Sequence, residues 1–166
     1  VFRVGSPATL AIRPLVGWPR DLRDAVDGGS FVVAGGHEYD GREIAPLDEA
    51  AVMEAARKVK GSVDSAAVCS VFSPVNAAHE KRVAEILGEE LPGVPVSLSH
   101  EIGSIGLLER ENATVLNAAV VGVARATAEG FRRALEGEGI DARLYFGQND
   151  GTLMSVDYAL RYPIFT

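Results

Sequence analysis

The sequence predicts an α/β fold, a mostly parallel sheet flanked by helices. Three observations carry that reading. Short apolar runs of strand length recur at Ser30–Ala34 (SFVVA), Ala66–Phe72 (AAVCSVF), Val94–Leu98 (VPVSL) and Leu144–Phe146 (LYF). The stretches between them carry apolar residues at helical spacing. Gly and Pro punctuate nearly every junction. From Asp48 onward the order is therefore α-β-α-β-α-β-α, and strands separated by helices imply parallel pairing through right-handed crossovers.

Residues 1–29 read as an irregular, proline-rich arm, because Pro7, Pro14 and Pro19 each fix φ and remove a backbone donor. A short helix is expected within it from about Pro19 to Val26, with Pro at a first-turn position. Residues 30–166 read as one α/β domain. Ser30–Ala34 opens it as a strand, and GGHEYDGREIAPL follows as a turn or hairpin. Asp48 is placed to cap a helix whose buried face is Val52, Ala55, Ala56 and Val59. Gly61 closes that helix. The run Ala66–Phe72 is apolar throughout, as in a strand covered on both faces.

Asn76 is placed to cap the next helix, whose stripe is Val83, Ile86, Leu87 and Leu91. Pro95 beside the strand Val94–Leu98 argues against a fully central position. A long helix is expected between Ser104 and Glu136. After the strand Leu144–Phe146 comes a turn at Gln148–Gly151, and Ser155 is placed to cap a short helix through Leu160.

Composition bounds the function. The net charge of −7 and pI near 5.0 exclude a basic nucleic-acid footprint and disfavour anionic membrane surfaces. No stretch approaches the roughly 20 apolar residues of a membrane helix. A single cysteine, Cys69, rules out an intrachain disulfide and points to a reducing, cytoplasmic setting. Cys69 lies mid-strand, so a buried and inert thiol is expected.

The candidate chemistry is sparse. There is no G-x-S-x-G elbow, no G-x-x-x-x-G-K-[ST] and no G-x-G-x-x-G. The three histidines, His37, His79 and His100, show no metal-ligand spacing, and no metal is assigned to them. His37-Glu38 and His100-Glu101 both sit at strand ends, where sites collect. His79 and Glu80 fall in a helix's first turn, where Glu80 complements the helix dipole. Glu109-Arg110-Glu111 could set carboxylates around a cation, although neighbours at i and i+1 do not face one another on a helix. Asn117 sits in an apolar stretch and needs a partner if buried. Gln148-Asn149-Asp150-Gly151 follows a strand, where α/β ligands gather, and is equally an ordinary turn.

Four blocks carry a resemblance: GGHEYDGREIAPLDEAAV, VFSPVNAAHEKRVAEILGEELPGVPVSLSHEI, LLERENATVLNA and QNDGTLMS. In order and spacing they resemble the hydantoinase A / oxoprolinase family, which includes ATP-dependent 5-oxoprolinases, N-methylhydantoinases and related carboxylase subunits. The resemblance implies part of an actin-like, sugar-kinase-like (ribonuclease H-like) lobe. It also implies that this chain is an internal fragment, inactive alone, of an ATP-dependent hydrolase of cyclic amides. The family's nucleotide motifs are absent, so no cofactor is expected in this piece, with ATP and a divalent cation implied for the parent enzyme. The implied partners are the rest of the parent chain and a hydantoinase B-type subunit; a homo-oligomer stays open. The alternatives are a non-catalytic scaffold or subunit-docking domain, and part of an ATP-dependent carboxylase subunit.

By the same resemblance, Asn76, His79 and Glu80 match an Asn-Pro-x-His-Glu pattern, with Ala77 in place of proline. Glu109, Arg110 and Asn117 match the block at the start of the long helix. Gln148, Asp150 and Gly151 match the turn, where Thr152 replaces a common second glycine. Gln148, Asn149, Asp150 and Gly151, with Glu109 and Arg110 as a buried pair, are expected near substrate or nucleotide. Asn76, His79, Glu80 and Asn117 are expected to be structural, and no residue is assigned a catalytic role.

Overall fold

Four strands pair in parallel in the order β2-β1-β3-β4: β1 is Phe2–Ser6, β2 Phe31–Ala34, β3 Ala66–Ser70 and β4 Val96–Leu98. The computed structural model describes residues 1–166, and the chain divides into two compact units, Val1–Ala118 and Ala119–Thr166. The sheet belongs to the first unit. Helices α1 (Arg20–Val26), α2 (Glu49–Val59) and α3 (Ala78–Glu90) make the three crossovers, and the long helix α4 (Leu107–Gly137) follows β4.

Alternation along the strands explains which helix packs where, since successive side chains point to opposite faces. Phe2 and Val4 of β1, with Ala66 and Val68 of β3, form one core with the apolar faces of α2 and α3. Burying each of its larger side chains contributes about 1.5–3 kcal/mol. Ala67 faces the other way, onto Leu15, Val115 and Ala118. Every residue of β3 is buried, as its unbroken apolar run predicts. The Asp48 cap is present, its carboxylate accepting from Ala51 N–H at 2.9 Å. The Asn76 carboxamide accepts from Ala78 N–H at 3.1 Å, while Ala77 holds the N-cap position itself. Pro95 precedes an edge strand, where a missing donor is tolerated.

Two expectations are corrected. The irregular arm over residues 1–29 contains β1, which lies between β2 and β3 in the sheet. Its prolines all come after Ser6, so they do not interrupt the Phe2–Ser6 ladder. The strand after the long helix does not join the parallel sheet. In the second unit β5 (Tyr145–Gly147) pairs antiparallel with β6 (Leu153–Ser155), which the sequence reading did not contain. Gln148–Thr152 is the hairpin turn, and its brevity permits only an antiparallel return. Ser155 then caps α5 (Val156–Arg161), accepting from Tyr158 N–H at 3.3 Å. In this unit Val120, Val123, Ala124, Phe146, Leu160 and Pro163 line an apolar groove. No helix is long and apolar enough to cross a membrane.

Candidate functional site

In parallel α/β sheets ligands gather beyond the carboxyl ends of strands, at the point where strand order reverses. Here that reversal lies between β1 and β3, and backbone fills it. Val71 N–H donates to Val4 C=O at 3.0 Å, and His37 N–H donates to Val71 C=O at 3.2 Å. Gly36, at φ +96, permits this closeness, because a Cβ there would sit 3.3 Å from the Val4 oxygen and 3.2 Å from Val71 Cβ. The titratable side chains collect on either side of this plug. Two adjacent residues of α3, His79 and Glu80, reach one side each.

Glu80 is fully buried and lies under the ends of β3 and β4. Its Oε1 accepts from Ser70 N–H at 2.7 Å and from the Ser99 hydroxyl. Its Oε2 accepts from His100 N–H at 3.0 Å and from His100 Nδ1 at 2.6 Å. Burial alone would raise this carboxyl, but the hydrogen bonds from His100 and Ser99 outweigh it and hold Glu80 below its ordinary value. The dipole role expected of Glu80 is therefore secondary to a tertiary one.

Arg110, 1% exposed, closes the cluster from α4. It donates from Nε to Ser99 Oγ at 2.8 Å, from Nη2 to Ser70 C=O at 2.5 Å, and from Nη1 to the carbonyls of Ser104 and Ile105, each at 2.8 Å. Gly103 leaves room for it, since a Cβ there would meet Arg110 Cγ at 3.0 Å. The Ser70 hydroxyl, also fully buried, has no hydrogen-bond partner. Beyond β3 the chain turns sharply, with Phe72 at φ +50, a conformation rare for an aromatic residue and frequent where a site imposes it.

The expected Glu109–Arg110 pair is corrected by this geometry. Arg110 points inward and Glu109 is exposed, because neighbours on a helix diverge. The buried carboxylate of that block is Glu111. It takes Arg3 in a two-point ion pair, Nε to Oε2 and Nη2 to Oε1, both at 2.6 Å, and Arg3 also donates to Ile12 C=O. Arg3 and Ser99 are key residues that the sequence reading missed. The only signal for Arg3 was a cation between two apolar residues in FRV. Asn117 has its expected partner, donating to Ser97 Oγ at 2.9 Å.

His79 serves the other side. Its Nδ1 accepts from Gly36 N–H at 3.0 Å, and its Nε2 meets Glu43 Oε1 at 3.1 Å. The His37 ring lies against it, with centroids 4.3 Å apart. Ligand atoms of His37, Glu43 and His79 all lie within 4.8 Å of one another, which is the outline of a metal site. The tautomer argues against one. With Nδ1 accepting from Gly36, the His79 ring proton sits on Nε2 and is donated to Glu43, so no lone pair is left there for a metal. Burial, and then the His79 ring, lower the pKa of His37, against a smaller opposing pull from Glu43. The Cys69 thiol is pushed up to about 12 by burial and is inert.

In the second unit three backbone donors of the turn Gln148–Gly151 have backbone acceptors. Gln148 N–H goes to Thr152 C=O at 2.8 Å, Gly151 N–H to Gln148 C=O at 2.9 Å, and Asn149 N–H to Phe165 C=O at 3.4 Å. Asp150 accepts from the Thr152 N–H at 2.9 Å and hydroxyl at 2.7 Å, and these bonds lower its pKa. A phosphate cradle needs free, converging N–H groups. In this turn the N–H groups of Gln148, Asn149 and Gly151 are already taken.

Comparison with known proteins agrees with the fold and names the relatives. A crystal structure of ATP-dependent caprolactamase from Pseudomonas jessenii matches with TM-score 0.71 and 30% identity, over 75% of this chain and 18% of that one. A nucleotide-free acetone carboxylase structure matches with TM-score 0.70 over 99% of this chain and 27% of that one; at 18% identity it speaks for the fold alone. Both have an actin-like ATPase-type fold, as the resemblance implied. Caprolactamase subunit alpha of Pseudomonas jessenii is 35% identical over 102 residues, which are 60% of this chain and 14% of that protein. The chain thus spans a small part of the length of each relative. Residues 8–91 match the hydantoinase/oxoprolinase N-terminal region and residues 110–166 match hydantoinase/oxoprolinase. With both halves matched in that order, the chain belongs to the hydantoinase/oxoprolinase family.

Proposed function

We propose that this chain forms part of an ATP-dependent enzyme that opens cyclic amides, of the hydantoinase, N-methylhydantoinase or 5-oxoprolinase kind. The observation that supports this is membership of the family over both halves of the chain, joined by the 35% identity to a caprolactamase subunit. The first unit supplies a rigid scaffold and the polar cluster at the carboxyl edge of its sheet. ATP and its divalent cation bind elsewhere in the protein, since the N–H groups of Gln148, Asn149 and Gly151 already have acceptors and do not converge on a phosphate. That turn borders ligand through the side chains of Gln148 and Asn149, and Arg110 acts through Ser99. We further propose a cytoplasmic location, a hydantoinase B-type partner subunit, and no turnover by these 166 residues alone.

The test is an assay of the full-length protein with such a partner. It is given ATP and Mg²⁺ with hydantoin, N-methylhydantoin, 5-oxoproline and ε-caprolactam in turn, and ADP and ring-opened acid are both measured. Ring opening of at least one substrate in step with ADP release is expected. Bicarbonate-dependent carboxylation of a ketone without ring opening would replace this reading by the carboxylase one. Tight partner binding with no turnover of either kind would replace it by a docking role.

A further inference from the structure

The second part of α4 has the pattern of a buried helix and is left open. Val120, Val123, Ala124, Thr127 and Phe131 recur at i, i+3, i+4, i+7 and i+11, the spacing of one helical face. Yet Val123 is 68% exposed and Phe131 is 51% exposed. Val121 and Ala128, on another side of the helix, are buried. A helix with apolar residues on two sides is one that is covered on both. Val120, Val123, Ala124 and Thr127 form one wall of the groove in this unit, and Phe146, Leu160 and Pro163 stand opposite. The groove measures about 400 Å³, and none of its lining residues is charged. The Phe131 ring meets that of Phe146 edge-on, with centroids 6.5 Å apart.

The unit that holds this groove, Ala119–Thr166, is too small to do without a cover. Below about 70 residues a single core seldom suffices. The core here is slight: Val121, Ala128, Met154, Val156 and Ala159 are buried, two of them alanines, while Val123, Phe131, Ile140 and Leu153 lie exposed. Apolar surface left open in this way marks a contact site. A surface that a partner visits and leaves carries a polar rim. A lining without charge resembles a core cut in half, which is the character of a permanent contact. The same polypeptide is the natural source of such a cover. Residues 110–166 match the hydantoinase/oxoprolinase region, separately from the N-terminal region matched by residues 8–91. In the caprolactamase structure the matched part is only 18% of the chain, so most of that polypeptide lies outside it. A tethered segment also meets its groove at about millimolar effective concentration, an advantage that a separate molecule lacks.

We infer that this groove is an internal interface, filled by an apolar segment of the same polypeptide that belongs to the hydantoinase/oxoprolinase region and lies outside residues 1–166. Helix α4 then serves two cores. Its first part is buried in the first unit through Val115 and Ala118. Its second part opens a core that the rest of the region completes. The inference rests on the chain being part of a longer protein, as proposed above, and not on which ring that protein opens.

The experiment uses the full-length protein, without and with its partner subunit. Hydroxyl-radical footprinting, read by mass spectrometry, reports how far each side chain is open to water. In the full-length protein alone, oxidation of Val123 is expected to fall to the level of the buried Val121, and that of Leu160 to the level of the buried Leu87, at every protein concentration tried. The variant Phe131→p-benzoylphenylalanine then identifies the cover. On irradiation it is expected to bond a peptide of the same polypeptide outside residues 1–166, with no dimer band on a denaturing gel. Fast oxidation of Val123 both without and with the partner subunit overturns the inference, because the groove is then open to water. A cross-link confined to residues 1–166 overturns it too. Protection that needs the partner subunit, or a cross-link to it, overturns the inference and assigns the groove to that subunit. Protection that rises with protein concentration, or a dimer band, overturns it in favour of a second copy. A full-length protein that shows the intrachain cover and opens no cyclic amide loses the reading above and keeps this one.

Discussion

His79 and Glu80 are neighbours on one helical turn, both buried, and they do opposite things. His79 turns toward the end of β2 and gives both ring nitrogens to the protein, one to Gly36 N–H and one to Glu43. Glu80 turns toward the ends of β3 and β4 and collects donors until an imidazole is fixed with one nitrogen free. The first cluster has the ingredients of a metal site and the wiring of a brace. The second lacks any recognised spacing and ties Glu80 to His100 by two hydrogen bonds, leaving Nε2 of the ring outside them. Residue type and proximity are thus weak guides here. What separates the two is where each lone pair and each proton goes.

The largest effect that tests this contrast is expected from Glu80→Ala. It strands Ser70 N–H and His100 N–H and leaves the Arg110 guanidinium buried without a nearby carboxylate in its network. Removing one partner from a buried charged network costs about 3–5 kcal/mol. Urea unfolding measures it, and a loss under about 1 kcal/mol would show that the cluster is not held as described. The same carboxylate predicts acid sensitivity. Its pKa is lowered on folding, so its contribution is fully present above the ordinary carboxylate value of 4.5 and is lost as pH falls from there through the lowered value. Unfolding followed from pH 7 downward is expected to show that loss in wild type, and the Glu80→Ala variant to lack this part of it.

His79→Leu comes next in size. It leaves Gly36 N–H buried without an acceptor and frees Glu43 to solvent, a cost of about 1–3 kcal/mol. Stability is the readout, and activity of the full-length protein is expected to survive wherever the fold does. A His79→Leu variant that folds normally but loses turnover would make the brace a working site and dissolve the contrast.

Much of the fold was legible because it rests on local rules. The caps at Asp48 and Ser155, the stripe of α2 and the unbroken apolar run of β3 each follow from spacing alone. β1 was not legible, because five residues ahead of a cluster of prolines give too short a pattern to outweigh them. β6 was hidden for a similar reason: Leu-Met-Ser is short, and only its pairing with β5 makes it a strand. The site was half legible. His79, Glu80 and Arg110 were singled out, but the first two as structural and Arg110 as the partner of Glu109 near substrate or nucleotide. Their roles depend on residues 10 to 40 positions away in sequence, such as Ser70 and Ser99, and no local period encodes that.

The smallest expected effect, at His37, is the most discriminating for the brace. His37 is buried, its Nδ1 has no hydrogen-bond partner, and its ring lies on that of His79. Replacing a buried ring that bears an unsatisfied nitrogen by an apolar ring of similar shape is nearly neutral, so His37→Phe should change stability at pH 8 by less than about 1 kcal/mol. The pH dependence is where it differs. The pKa of His37 is lowered on folding from 6.5, so below that value the unfolded chain binds more protons than the folded one. Wild type therefore loses stability as pH falls below 6.5 and levels off beneath the lowered value, while His37→Phe lacks that slope. The difference between the two proteins, followed by urea unfolding at pH 8 and pH 5, should move in favour of the variant at the lower pH. A shift in favour of wild type would mean that His37 gains a proton and a partner on folding, and that the cluster of His37, Glu43 and His79 holds a charge the brace has no use for.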